Sequence, residues 1–210
     1  MTTPNKITIA RISLIPVFVM LALYYGRSIT HHAPQEWLRW AAVAVFVLAA
    51  ASDGIDGYIA RRYNQRSRLG VILDPIADKG LLLSGIITLS VSNWPYEFPI
   101  WFPVLVITRD VMIVVGVLAV HFMIGKVKVK PTLMGKMATV AQMVAIGFVM
   151  LWPTNPWKAK VGDWELQFLD VPVIIAGLFT LISGVGYVRQ GLRQLHAAGH
   201  GEPRPAEELW

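Results

Sequence analysis

The chain alternates long apolar stretches with short segments that are rich in charge, proline or aromatic residues. A helix of about 20 apolar residues is long enough to cross the hydrocarbon core of a bilayer. The pattern therefore predicts an all-α polytopic membrane protein with six transmembrane helices within residues 1–195. The polar remainder, 196–210, has no apolar periodicity and is predicted to be disordered. The six apolar stretches cover residues 7–25, 37–51, 70–92, 100–124, 131–152 and 171–188.

Composition and charge support the membrane class. Hydrophobic residues make up 55 % of the 210 residues and charged residues 15 %, which is far from the soluble average. The net charge of +6 would also suit nucleic acid, but the basic residues lie between apolar stretches, as the positive-inside rule expects. Their distribution predicts cytoplasmic termini and a lipid bilayer, not nucleic acid, as the partner. Cysteine is absent, which excludes zinc-thiolate sites and a Cys nucleophile.

Polar side chains interrupt the first apolar stretch close to its beginning. Asn5, Thr8 and Arg11 follow at intervals of three and share one face of the predicted helix. A signal peptide is the competing interpretation, but Arg11 lies inside the stretch and no small-residue cleavage site follows. We therefore expect a retained span, on which these side chains either cap the helix and reach the interface or form part of a binding face.

Four aspartates form the candidate chemical centre of the chain. Asp53 and Asp56 follow the second apolar stretch, whereas Asp74 and Asp78 lie in the first turns of the third. Residues three or four apart share one face of a helix, so each pair can present two carboxylates to one point. The polar turn at 61–69 makes the two helices antiparallel neighbours, which predicts that the two pairs converge.

Three explanations of this acidic cluster compete. Structural ion pairs would need basic partners, and only Arg61 and Lys79 lie nearby in the sequence. A cation-transport pathway would distribute its carboxylates along several helices, whereas these gather at one end of two. A site for two divalent cations, Mg²⁺ or Mn²⁺, fits best, because these ions prefer oxygen ligands and a metal pair can clamp a pyrophosphate. Small residues at Gly57, Ala60 and Gly70 would let a nucleotide approach the backbone.

The fourth apolar stretch contains a charge pair, Arg109 and Asp110. A pair of charges inside a span is costly unless it faces protein or a watery cavity. The sequence fits a structural ion pair and a pair with a role in function equally well at this position. The lysines that follow, including Lys130 and Lys136, fit either a positive-inside cluster or a binding site.

The acidic segment resembles, at each of its eight fixed positions, the defining motif of the CDP-alcohol phosphatidyltransferase family. Two other segments also look like this family: Pro-Asn-x2-Thr-x2-Arg at 4–11 and Gly-Lys-x2-Thr-x2-Gln at 135–142. The resemblance therefore covers the chain up to its tail. The motif reads Asp53-x2-Asp56-Gly57-x2-Ala60-Arg61-x8-Gly70-x3-Asp74-x3-Asp78.

The resemblance implies an integral membrane enzyme, usually a homodimer, whose active site opens to the cytoplasm; we expect the bacterial inner membrane. It implies that Asp78 is shared between metal binding and catalysis, as the base that takes a proton from an acceptor alcohol. The phosphatidyl group of CDP-diacylglycerol then passes to that alcohol and CMP leaves. The implied metal ligands are Asp53, Asp56, Asp74 and Asp78. The implied CDP-binding residues are Asn5, Thr8, Asp56, Gly57, Ala60, Arg61 and Gly70.

The acceptor alcohol depends on other residues, among which we expect Arg109, Lys130 and Lys136 to bind it. The glycerol-type branch of the family, which includes phosphatidylglycerophosphate synthases and cardiolipin synthases, is the most similar. Arg-Asp at 109–110 and Lys-Pro-Thr at 130–132 look like the cardiolipin synthases, and Ala138 stands where the phosphatidylglycerophosphate synthases typically have a second lysine. Phosphatidylglycerol, with one negative charge, also needs fewer cationic donors than glycerol-3-phosphate. The favoured acceptor is therefore phosphatidylglycerol, and glycerol-3-phosphate is the alternative.

Two non-enzymatic functions are the alternatives: a protein that binds metal or nucleotide without turnover, and a divalent-cation carrier. The complete motif argues against both, because a binding module has no use for Asp78 as a base.

Overall fold

The computed structural model describes residues 3–62, 68–124, 132–152, 158–161 and 164–199. Side chains are described for 7–52, 73–120, 122–123, 132–152 and 167–193. The described segments form six helices and one antiparallel hairpin, in which Lys158 pairs with Gln167 and Val161 with Trp164. The helices are α1 (Thr3–Thr30), α2 (Glu36–Arg62), α3 (Arg68–Val91), α4 (Trp101–Ile124), α5 (Leu133–Leu151) and α6 (Asp170–Gly199). The strands are β1 (Lys158–Val161) and β2 (Trp164–Gln167).

Four of the helices are long and apolar enough to cross a membrane, and many of their large apolar side chains are exposed, as lipid contact requires. The helical class is therefore confirmed apart from the hairpin, which lies between the fifth and sixth apolar stretches. Over their described residues, α2 and α3 do not meet the same criterion, so six spans stay a prediction. The four candidate spans are Ile7–Thr30, Trp101–Val120, Leu133–Leu151 and Asp170–Arg193.

Two helix boundaries differ from the hydrophobic pattern. Helix α1 continues to Thr30, beyond the apolar stretch, and the chain then turns at His32, whose φ of 56° lies in the left-handed region. Helix α6 continues to Gly199 and so includes residues 196–199, which were assigned to the polar tail. Residues 200–210 lie outside the described part of the chain, and their disorder stays a prediction.

The chain divides into two compact units. The first comprises Met1–Pro103 and Gln142–Val173, and the second comprises Val104–Ala141 and Ile174–Trp210. The first contains α1, α2 and α3, and the second contains most of α4 and α6 and the beginning of α5.

In the first unit α1 packs against both α2 and α3. The rings of Phe18 and Phe46 lie 5.4 Å apart between α1 and α2. On the α3 side, a Cβ atom at Gly80 would lie 3.2 Å from Cδ1 of Ile15, so the absence of a side chain lets the two helices approach closely. This approach lies next to Asp78 and positions the acidic residues of α3 against α1.

The segment between α3 and α4, residues 92–100, buries three aromatic side chains in the first unit, those of Trp94, Tyr96 and Phe98. The indole Nε1 of Trp94 donates to the backbone oxygen of Ala22 at 3.0 Å. The Tyr96 hydroxyl donates to Oδ1 of Asp170 at 2.6 Å, and burial raises the pKa of Tyr96 well above its ordinary value. These two hydrogen bonds satisfy the polar atoms of the aromatic rings, so burial becomes favourable.

Candidate active site

Two polar side chains of α1 contact two acidic side chains of α3 in the first unit. The Thr8 hydroxyl donates to Oδ1 of Asp74 at 2.8 Å, and Nη1 of Arg11 donates to Oδ1 of Asp78 at 2.6 Å. Thr8 and Arg11 are one helical turn apart, as are Asp74 and Asp78, so the contacts form two successive cross-links between the helices. The two donors are almost completely buried, at 0 % and 1 % exposure.

The ion pair between Arg11 and Asp78 is asymmetric in its exposure. The Arg11 side chain is fully buried, whereas the Asp78 side chain is 41 % exposed. A buried guanidinium inside a membrane helix needs a counter-charge, and Asp78 provides it. Asp78 is therefore oriented from one side while part of its carboxylate stays accessible.

These contacts distinguish between the two interpretations of the polar residues in the first span. Capping and reaching the interface were one interpretation, but the structure places Thr8 and Arg11 against α3. The spacing of three had already placed Arg11 on the same face as Thr8, but the family resemblance gave Arg11 no role. Its contact with Asp78 adds Arg11 to the candidate site.

The donor set of the described acids fits a divalent cation. Asp74 and Asp78 offer carboxylate oxygens from one face of α3, and each carboxylate has two oxygens with about four acceptor positions in all. The hydrogen bonds from Thr8 and Arg11 therefore do not by themselves prevent metal coordination. Across the described side chains, no group of three His, Cys, Asp or Glu converges on one point.

Several predicted site residues have no described side chain. Their backbones belong to α1, α2 and α3, but what their side chains contact lies outside the described part of the structure. The predicted convergence of the two acidic pairs and the predicted contacts with CDP thus stay predictions. The residues concerned are Asn5, Asp53, Asp56, Gly57, Ala60, Arg61 and Gly70.

The second unit contains a buried guanidinium group with several partners. Arg109, which is 7 % exposed, donates from Nη1 to Oδ1 of Asp110 and from Nη2 to Oγ of Ser183, both at 2.7 Å. Its Cζ atom lies 5.4 Å from the centroid of the Tyr187 ring. The pair at 109–110 is therefore part of a network between α4 and α6, and Ser183 and Tyr187 are members that the sequence analysis missed.

The beginning of α5 is attached to the same network. The Thr132 hydroxyl caps the helix by accepting from the Gly135 amide at 3.1 Å, and the Thr132 amide donates to the Tyr187 hydroxyl at 3.4 Å. A Cβ atom at Gly135 would lie 2.9 Å from that hydroxyl and 3.2 Å from Nη2 of Arg109. A side chain at this position would therefore displace the Tyr187 hydroxyl from the beginning of α5. The next residue, Lys136, is exposed, and Lys130 lies outside the described residues.

A cavity of about 200 Å³ lies beside Arg109 in the second unit. Its walls come from α4 and α6 and are mostly apolar, so the guanidinium lies in an environment of low polarity. The lining side chains include Arg109, Met112, Val117, Val120, Tyr187 and Leu192.

Comparison with known proteins identifies the class of protein. The family model described as CDP-alcohol phosphatidyltransferase matches residues 1–183. The chain therefore belongs to the CDP-alcohol phosphatidyltransferase family and is a phosphatidyltransferase. Together with its apolar helices, this makes it an integral membrane protein.

Individual relatives come from several bacteria. A Mycobacterium tuberculosis protein named as a probable phosphatidylglycerophosphate synthase is 36 % identical over 192 residues, which cover 91 % of this chain and 82 % of the relative. The Bacillus subtilis CDP-diacylglycerol–glycerol-3-phosphate 3-phosphatidyltransferase is 34 % identical over 187 residues, covering 88 % of this chain and 92 % of the relative. An Escherichia coli protein of the same name is 32 % identical over 160 residues, covering 76 % and 81 %. These names support the alternative acceptor, glycerol-3-phosphate, better than phosphatidylglycerol. Phosphatidylglycerol was the acceptor that the sequence favoured.

Proposed function

We propose that this protein transfers the phosphatidyl group of CDP-diacylglycerol to glycerol-3-phosphate and releases CMP, as a phosphatidylglycerophosphate synthase. The observation that carries the chemistry is the pair of contacts from α1 to Asp74 and Asp78, because it orients two acids of a complete family motif. The named activities of the relatives support the choice of acceptor. The preference for phosphatidylglycerol rested on segments that look like the cardiolipin synthases and on a small number of cationic donors, but Arg109 and Lys136 are both present for a phosphomonoester.

In this proposal Asp78 accepts the proton of the acceptor hydroxyl. The hydroxyl oxygen forms a bond to the phosphorus that carries diacylglycerol, and the bond from that phosphorus to the CMP oxygen breaks. Arg11 orients the Asp78 carboxylate during this step, and Thr8 orients Asp74 in the same way. Asp78 is available to the substrate because its side chain is 41 % exposed, whereas Arg11 acts through Asp78.

The metal ligands in this proposal are Asp53, Asp56, Asp74 and Asp78. A pair of Mg²⁺ or Mn²⁺ ions bound there would neutralise the pyrophosphate and make CMP a better leaving group. The CDP moiety would contact Thr8 and the residues that the motif assigns to it. Those residues are Asn5, Asp56, Gly57, Ala60, Arg61 and Gly70.

Arg109, Lys130 and Lys136 bind the acceptor in this proposal. A phosphomonoester carries up to two negative charges and favours several cationic donors. Arg109 retains Nε and further N–H groups beyond those that contact Asp110 and Ser183. Lys136 follows Gly135, whose position is fixed beside Arg109.

We further propose a homodimer in the bacterial inner membrane with its active site facing the cytoplasm.

The test measures CMP release by purified protein supplied with CDP-diacylglycerol and Mg²⁺, with glycerol-3-phosphate or phosphatidylglycerol offered separately. We expect release with glycerol-3-phosphate and none with phosphatidylglycerol above the rate without acceptor. Addition of a chelator should abolish release, and excess Mg²⁺ should restore it. Release with phosphatidylglycerol alone would establish the cardiolipin synthase activity instead. No release with any alcohol would overturn the enzymatic proposal.

A further inference from the structure

Tyr187 contacts two different elements of the second unit. The face of its ring lies under the guanidinium of Arg109 on α4, with 5.4 Å between Cζ and the ring centroid. Its hydroxyl accepts from the Thr132 amide at the beginning of α5. One side chain of α6 is therefore in contact with Arg109 and with the residue that caps the helix of Lys136.

The Arg109 guanidinium is constrained along its edge as well as on its face. Ser183, which precedes Tyr187 by one helical turn, accepts from Nη2 at 2.7 Å. Asp110 accepts from Nη1 at the same distance. The buried Nε atom has no hydrogen-bond partner among the residues that the structure describes. A buried N–H group without a partner is costly, so a ligand that accepts from it would bind favourably.

We propose that Tyr187 and Ser183 are positioning residues that fix the orientation of Arg109 for binding the phosphate of the acceptor. This inference rests on the proposed function, in which Arg109 binds that phosphate. A free arginine side chain loses rotational entropy when it binds a ligand, and contacts made beforehand remove much of that cost. Both contacts are strengthened by the apolar surroundings of the cavity. Tyr187 and Ser183 therefore increase acceptor affinity without touching the acceptor.

Three substitutions test the contacts of Arg109 with Tyr187 and Ser183 one at a time. Tyr187→Phe keeps an aromatic face under Arg109 and removes only the hydroxyl, whereas Tyr187→Leu removes both. Ser183→Ala removes the acceptor of Nη2. Tyr24→Leu is the matched control, because Tyr24 is an exposed tyrosine of α1 in the other unit. For each variant, kcat, the KM values of both substrates and the Tm are measured.

We expect Tyr187→Leu to raise the KM of glycerol-3-phosphate by about 10-fold, because the substitution removes a cation–π contact that is shielded from water. Ser183→Ala should raise it by about 5-fold. Tyr187→Phe should stay within about 3-fold of wild type, and the control within about 2-fold. In all four variants kcat and the KM of CDP-diacylglycerol should change by less than about 2-fold.

Equal increases in both KM values, or equal effects of Tyr187→Phe and Tyr187→Leu on the acceptor, would overturn the positioning role. If Tyr187→Leu does not fold, Ser183→Ala decides: an unchanged acceptor KM contradicts the inference. Arg109→Ala in the same assays separates the two proposals. An effect of Arg109→Ala without any effect of the α6 variants refutes only this inference, whereas no effect of Arg109→Ala refutes the acceptor role itself.

Discussion

Arg11 in the first unit and Arg109 in the second are both buried guanidinium groups on helices that are long enough to span a membrane. Arg11 donates to Asp78, which lies on a different helix and belongs to the family motif. Arg109 donates to Asp110, its neighbour along the chain, and to a serine of α6. In the first unit the arginine orients an acid, and in the second unit other side chains orient the arginine.

Exposure explains what each arrangement can do. The acid of the first pair is 41 % exposed and its arginine is fully buried, so the substrate can reach the acid. In the second pair the side chains of Arg109 and Asp110 are 8 % and 16 % exposed, so Asp110 serves as the counter-ion of Arg109, which lines the cavity of that unit. We therefore expect changes in the first pair to alter the rate of the chemical step and changes around the second to alter acceptor affinity.

The largest expected effect comes from Asp78→Asn. Loss of the general base should reduce kcat by roughly 10²- to 10⁴-fold. Binding of Mg²⁺ and CDP-diacylglycerol, measured by calorimetry, should fall much less. Asp74→Asn is the contrast, because loss of a metal ligand should weaken Mg²⁺ binding as well as the rate. Equal losses of binding and rate in Asp78→Asn would refute a separate role as base.

Arg109→Ala should have the next largest effect. Loss of a charged donor to phosphate, at about 2 kcal/mol, corresponds to roughly a 30-fold increase in the KM of glycerol-3-phosphate. The KM of CDP-diacylglycerol should stay within about 3-fold of wild type. Arg193→Ala removes an exposed cation from the same unit and is the control. A larger change for CDP-diacylglycerol than for the acceptor would place Arg109 outside the acceptor pocket.

Arg11→Lys should reduce kcat by about 10-fold, because lysine keeps the charge but not the planar geometry that orients Asp78. The acceptor KM should change little, in contrast to Arg109→Ala. Arg39→Lys is the matched control, since Arg39 is also buried in the first unit and pairs with Glu36 at 2.8 Å. Initial-rate kinetics over both substrates make the comparison. An unchanged kcat in Arg11→Lys would show that Asp78 does not depend on Arg11 for its orientation.

Thr8→Val should have the smallest effect of the four. It removes the hydrogen bond to Asp74, worth about 1 kcal/mol, so the apparent affinity for Mg²⁺ should fall by about 5-fold. The Mg²⁺ dependence of CMP release measures this shift. Thr88→Val, which changes another buried threonine of the first unit, should leave the Mg²⁺ dependence unaltered. Equal shifts in both variants would indicate general loosening of the unit.

The fold was predictable to the extent that it follows from local apolar pattern. Stretches of this length and hydropathy predict helices, and all six helices are present among the described residues. The hydrophobic pattern could not predict that α1 extends to Thr30. Polar residues at the end of a helix stabilise it through hydrogen bonds, and a hydrophobic pattern does not reveal these. It also could not predict burial of Trp94 and Tyr96, whose partners Ala22 and Asp170 are far away in the chain.

The sequence by itself indicated the reaction class, because its acidic motif resembles that of the CDP-alcohol phosphatidyltransferases and can be read without knowing how the helices pack. It also placed Asp74 and Asp78 on one face of α3, because their spacing is a local property of one helix. Only the tertiary structure decided that Arg11 contacts Asp78 and that α6 orients Arg109. Those partners lie 67 and 74 residues away, where packing between helices and not helical periodicity determines which side chains meet.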